Sequence, residues 1–127
     1  EKWDNCGWQE EPGVLQEDAG VLVCLTPTLA VKQEAIKLKN AGNPVNLIFA
    51  HHPLIFTPPK SLRTGDAIGE MVRLAFMHNI GIYSAHTNFD QVNGGTADVL
   101  AQILNLKVVF PLVNSQPGLG YGRVGFL

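Results

Sequence analysis

Three short apolar runs, residues 20–25, 45–50 and 80–84, constrain this chain more than any other feature. Each is too short for a helix and rich in β-branched or aliphatic residues, the pattern of a strand buried in a sheet. Between them lie two stretches with helical spacing, 29–40 and 64–79. Thr28 can cap the first, because its hydroxyl can accept from an early backbone N–H. Gly42 supplies the left-handed residue that ends it. Asp66 or Thr64 caps the second, with Met71, Val72, Leu74, Ala75 and Phe76 turned to the core and His78 at the negative end of the helix dipole. Beyond the turn Asn93-Gly94-Gly95 a third helix is predicted over 96–104, with Val99, Leu100, Ile103 and Leu104 apolar, and then a fourth strand over 107–113. The alternation predicts an α/β fold: a largely parallel or mixed sheet flanked by helices, about four strands and three helices in all. The length of 127 residues suits a single α/β domain over residues 1–127.

Composition narrows the function classes. Hydrophobic residues make up 46% of the chain and charged ones 16%, a balance that suits strands covered on both faces. Cys24, inside the first run, is expected to pack as a small hydrophobe. Lys32, Lys37 and Lys39 read as a solvated helix face near the carboxyl end. A net charge of −2 is no footprint for nucleic acid, whose binding domains are clearly basic. No apolar run approaches the ~20 residues of a membrane span. Cys6 and Cys24 show no C-x-x-C spacing, so reduced thiols and a cytoplasmic location are expected.

The chemistry-bearing residues gather where two of the strands end. Ala50-His51-His52-Pro53 closes one and Ala85-His86-Thr87-Asn88-Phe89-Asp90 closes the other. Open α/β sheets bind ligands beyond the carboxyl ends of their strands, and imidazole with carboxylate suits first-row transition metals. His52 and Asp90 lie 38 positions apart, which matches a strand–helix–strand unit of roughly 30 or more residues. The two strand ends should therefore emerge side by side. Adjacent histidines on an extended backbone point to opposite faces, so the chain must bend there, and Pro53 restricts His52 to extended geometry. Two metal ions, one histidine each and Asp90 between them, fit that arrangement. His86, four residues before Asp90, is placed to orient the carboxylate or to move protons as a general base. The competing reading is a set of hydrogen-bonded core histidines with no ion.

Three further stretches carry weaker signals. Trp3-Asp4-Asn5-Cys6-Gly7-Trp8 is read as an anchor that buries two indoles; the alternative is that Asp4 or Asn5 reaches the site. Lys60 and Arg63, in the proline-rich loop after the second strand, read as surface charge or as contacts to a substrate phosphate. Gly120-Tyr121-Gly122-Arg123-Val124-Gly125 matches G-x-G-x-x-G, but a dinucleotide site needs that motif between a strand and a helix. A glycine-rich turn is the preferred reading, with Arg123 pairing an acid or an anionic ligand.

Four segments taken in order resemble one family: Trp3-Asp4-Asn5-Cys6-Gly7-Trp8-Gln9, His51-His52-Pro53-Leu54-Ile55-Phe56, Tyr83-Ser84-Ala85-His86-Thr87-Asn88-Phe89-Asp90 and Gly120-Tyr121-Gly122-Arg123-Val124-Gly125. The family is that of the GTP cyclohydrolase I type 2 homologues, also called NGG-interacting-factor-three-like. The resemblance implies a dinuclear centre of two divalent ions (zinc, iron or manganese), held by His51, His52 and a bridging Asp90. It implies further ligands, a His and a Glu, from a later half, so the chain is read as the N-terminal portion of a longer two-part protein. It also implies a homohexamer and a metal-dependent hydrolase acting on a nucleotide or phosphorylated small molecule. The alternative is a metal-binding interaction or regulatory protein without turnover. One position departs from the family pattern: Thr26 stands where an Asp is usual, which bears on how complete the site is.

Overall fold

A computed structural model describes residues 2–14 and 17–127. The chain divides into two compact units, Lys2–His86 and Thr87–Leu127.

The first unit contains β1 (Gly7–Glu10), β2 (Gly20–Cys24), α1 (Leu29–Asn40), β3 (Val45–Ala50), α2 (Ala67–His78) and β4 (Gly81–Ser84). Its sheet runs in the order β1-β4-β3-β2. Strands β2, β3 and β4 are parallel, each joined to the next by a helix, and β1 runs antiparallel to β4. The sheet is therefore mixed, as the strand–helix alternation allows. Thr28 does cap α1, accepting from the Val31 N–H at 3.3 Å. Gly42 takes a left-handed φ of 92° just past its end. Asp66 occupies the cap position of α2.

Ala35, Val45, Ile48, Met71, Ile80 and Ile82 form the core between the helices and one face of the sheet, with Leu22, Cys24 and Leu54 packed against it. Burying an isoleucine such as Ile48 or Ile82 contributes about 1.5–3 kcal/mol. The expectation of strands covered on both faces fails at β2. Leu22 and Cys24 turn to the core, while Val21 and Val23 alternate outward and are 51% and 74% exposed. Val23, Phe49, Tyr83 and Trp8 stand in register across this outer face. Tyr83 stacks on Phe49 and meets Trp8 edge-on. Phe76, expected in the core, is also exposed.

The lysines of α1 are not one solvated face. Lys32 is fully buried and donates to the Ile80 carbonyl at 2.7 Å. Lys39 donates to the carbonyls of His78 and Asn79, and Asn46 adds a third donor to that corner. Lys39 therefore serves the negative end of α2, while Lys32 reaches the carbonyl just before β4. Only Lys37 stays at the surface, pairing with Glu34.

The second unit contains α3 (Thr87–Asp90), α4 (Thr96–Ile103), β5 (Lys107–Phe110), β6 (Val113–Gln116), β7 (Leu119–Tyr121) and β8 (Val124–Phe126). The run predicted as one strand over 107–113 breaks after Phe110. Its first part pairs antiparallel with β8, and β6 pairs with β7. Gly122, at φ 65°, joins β7 to β8. The G-x-G-x-x-G stretch runs from β7 through a turn into β8 and not from a strand into a helix, which does not fit the dinucleotide reading. Arg123 pairs with Asp98 and also donates to the carbonyls of Gly120 and Gly122. That pairing holds the Asp98 carboxyl below its ordinary range.

Candidate metal centre

The parallel pairing of β3 with β4 sets Ala50 beside Ser84, so both histidine-bearing loops leave the sheet at one edge. The bend that brings the adjacent histidines together has a backbone cause. In a regular strand, alternate residues bond to a given neighbour. Here two consecutive N–H groups donate to the end of β2: His51 to Cys24 O at 3.2 Å and His52 to Leu25 O at 2.8 Å. The alternation is lost and both rings turn to the same side. The buried Ser84 hydroxyl donates to His51 O at 2.8 Å and fixes the corner.

Three rings meet there. Ring centres are 5.3 Å apart for His51 and His52, 5.2 Å for His51 and His86, and 5.9 Å for His52 and His86. One nitrogen from each lies within 4.8 Å of the other two, so the set could hold a metal ion.

Each ring is held by its Nδ1. His51 Nδ1 lies 2.9 Å from Ala85 O, His52 Nδ1 lies 2.7 Å from Thr26 Oγ1, and His86 Nδ1 lies 2.8 Å from Asp4 Oδ1. A carbonyl and a carboxylate only accept, so His51 and His86 donate from Nδ1 and carry the lone pair of the neutral ring on Nε2. Metal-ligating histidines use this arrangement: the second nitrogen binds a carbonyl, carboxylate or other acceptor. The donor set and its backing therefore fit a divalent transition ion.

Sequence reasoning placed His51, His52 and His86 in the site, and the fold brings all three together. Asp90 closes α3 in the second unit and is half-buried there. Sequence reasoning underrated the N-terminal segment. Trp3 is 63% exposed and Trp8 is only partly covered, so buried indoles do not anchor it. Its polar residues do: Asp4 holds His86, while Asn5 donates to Ile55 O and Gln9 Oε1 accepts from the Ile55 N–H at 3.1 Å. Those two contacts hold the loop that sets Phe56 edge-on to His86, with ring centres 6.1 Å apart. Thr26 turns out to touch the site directly, through His52. Lys60 and Arg63 are exposed on the loop after β3.

The family model for Duf34/NIF3 (NGG1p interacting factor 3) matches residues 1–127. The chain belongs to this family. A GTP cyclohydrolase 1 type 2 homolog from Nostoc sp. is 73% identical over 122 residues, spanning 96% of this chain and 44% of that protein. NIF3-like protein 1 of Drosophila melanogaster is 31% identical over 126 residues, 97% of this chain and 41% of the relative. Among solved structures, reduced HcgD from Methanocaldococcus jannaschii superimposes with a TM-score of 0.81 at 32% identity, covering 98% of this chain and 46% of that one. A Bacillus cereus protein related to NIF3 gives 0.80 at 36% identity, covering 91% and 30%. The chain thus spans less than half the length of these NIF3 relatives. No helix among the described residues is long and apolar enough to cross a membrane.

Proposed function

We propose that the whole metal-loaded protein is a metal-dependent hydrolase of the Duf34/NIF3 family. The observation that carries this reading is the convergence of three imidazoles, each backed at Nδ1, at one sheet edge. In this reading His51, His52 and Asp90 would hold two divalent ions (zinc, iron or manganese) and His86 would carry protons. When bound, such ions supply Lewis acidity and lower the pKa of a coordinated water. The chain's own residues do the rest. Ala85 and Thr26 orient the ligand rings, and His86, held by Asp4, presents one nitrogen for proton transfer. Phe56, half-exposed beside His86, offers a wall for a flat substrate. A nucleotide or phosphorylated small molecule suits that wall together with Lys60 and Arg63, and the name of the Nostoc relative points the same way. Assembly into a homohexamer and a cytoplasmic location belong to the same reading.

The test begins with metal content. His51→Ala combined with Asp90→Ala should abolish uptake, and unchanged stoichiometry removes the reading. Turnover is then sought over nucleotides and phosphoesters with the full-length protein. Hydrolysis that a chelator stops supports the enzyme. The second reading, a metal-binding interaction protein, draws on the family description as an interacting factor; metal uptake with no turnover on any compound favours it.

A further inference from the structure

We propose that Asp4 is a positioning residue for His86: it fixes the imidazole proton on Nδ1 and thereby turns Nε2 toward His51 and His52. The inference rests on reading His86 as the proton carrier beside the metal-holding His51 and His52, and it adds the residue that positions it.

The register of the sheet explains how residues 82 positions apart meet. Strand β1 is antiparallel to β4, with Gly7 opposite Ser84. Continued past the strand ends, that register brings the residues just before Gly7 alongside those just after Ser84. Asp4 therefore faces His86 because Gly7–Glu10 is zipped to Gly81–Ser84.

The Asp4 side chain is 0% exposed, and a carboxylate so placed needs partners. It has three. Oδ1 accepts from His86 Nδ1 at 2.8 Å and from the Asn5 N–H at 2.9 Å, and Oδ2 accepts from Cys6 Sγ at 2.9 Å. The neighbours at 5 and 6 thus fix the carboxylate, and the carboxylate fixes the ring. It is also the only charged acceptor among the three groups that back the histidines, the others being a carbonyl and a hydroxyl. A carboxylate behind a histidine sets its tautomer and ring orientation. His86 is thereby distinguished from its two neighbours, whether its Nε2 meets an ion or a proton.

The experiment uses the full chain, labelled with ¹⁵N-histidine and free of metal, and reads ring tautomers by long-range ¹H–¹⁵N correlation. Wild-type His86 should be the Nδ1–H tautomer; an Nε2–H ring overturns the proposal without any variant being made. In Asp4→Asn the amide can donate, so His86 should shift toward Nε2–H while His51 and His52 keep their tautomers. An unchanged His86 tautomer overturns the proposal. Failure of wild-type protein to take up Zn²⁺, with the tautomer shift intact, sinks the metal reading and leaves the Asp4–His86 pairing standing.

Discussion

Thr26 and Lys32 show how much a single side chain decides. Thr26 lies at the surface end of β2, yet its hydroxyl is the group that backs His52. Thr26→Val keeps the shape and removes that contact. Zn²⁺ affinity should drop about tenfold, with stability changed by less than about 1.5 kcal/mol, measured by calorimetric titration and urea unfolding. Lys32 makes a different prediction. Burial pushes its ammonium down to about 8, with nearby Glu10 opposing the shift and Lys39 adding to it. Glu10 is itself buried and pushed up by desolvation. Its carboxylate oxygens have no hydrogen-bond partner among the described residues. Between about 8 and the ordinary lysine value of 10.5 the unfolded chain binds the proton that the folded chain has released. Stability should therefore rise with pH across that window, by up to ~3 kcal/mol. Lys32→Met should abolish the rise; urea unfolding at pH 8 and pH 10.5 on both proteins measures it.

Elements explain what could be read in advance and what could not. The three parallel strands and α1 and α2 were legible because each pairs a local period with a local stop signal, such as Thr28 and Gly42 around α1. The candidate site was legible at His51, His52 and His86 because strand ends collect ligands in this architecture. The role of Asp4 was not, since it depends on a pairing of β1 with β4 that no local pattern announces. The break after Phe110 was hidden for the same reason: an unbroken apolar run does not say which partner each half will find. Lys32 was misread because a lysine's spacing looks the same whether its head reaches water or a carbonyl just before a strand. Helix α2 yields a prediction of its own. A Cβ at Gly69 would come within 3.0 Å of the Arg63 backbone. Gly69→Ala should therefore destabilise by about 1–3 kcal/mol despite its better helix propensity. Thermal unfolding decides the sign.

At the scale of the whole molecule, the chain is an α/β unit followed by a smaller unit of two helices and two strand pairs. The outer face of β2 carries Val21 and Val23 in the open. Polar substitution there should leave the unit's stability unchanged: Val23→Thr is expected within about 0.5 kcal/mol of wild type, read by chemical denaturation. A large loss would mean that the face is covered. The relatives are more than twice as long, and the function proposed here is one for the whole protein. What this chain supplies is the histidine set and the groups behind it. X-ray absorption at the zinc edge of the zinc-loaded chain tests that most directly. Imidazole scattering at ~2.0–2.1 Å that disappears in His51→Ala/His52→Ala is the result expected. Zinc bound with no imidazole in its shell, or with a shell unchanged in the double variant, would contradict the account.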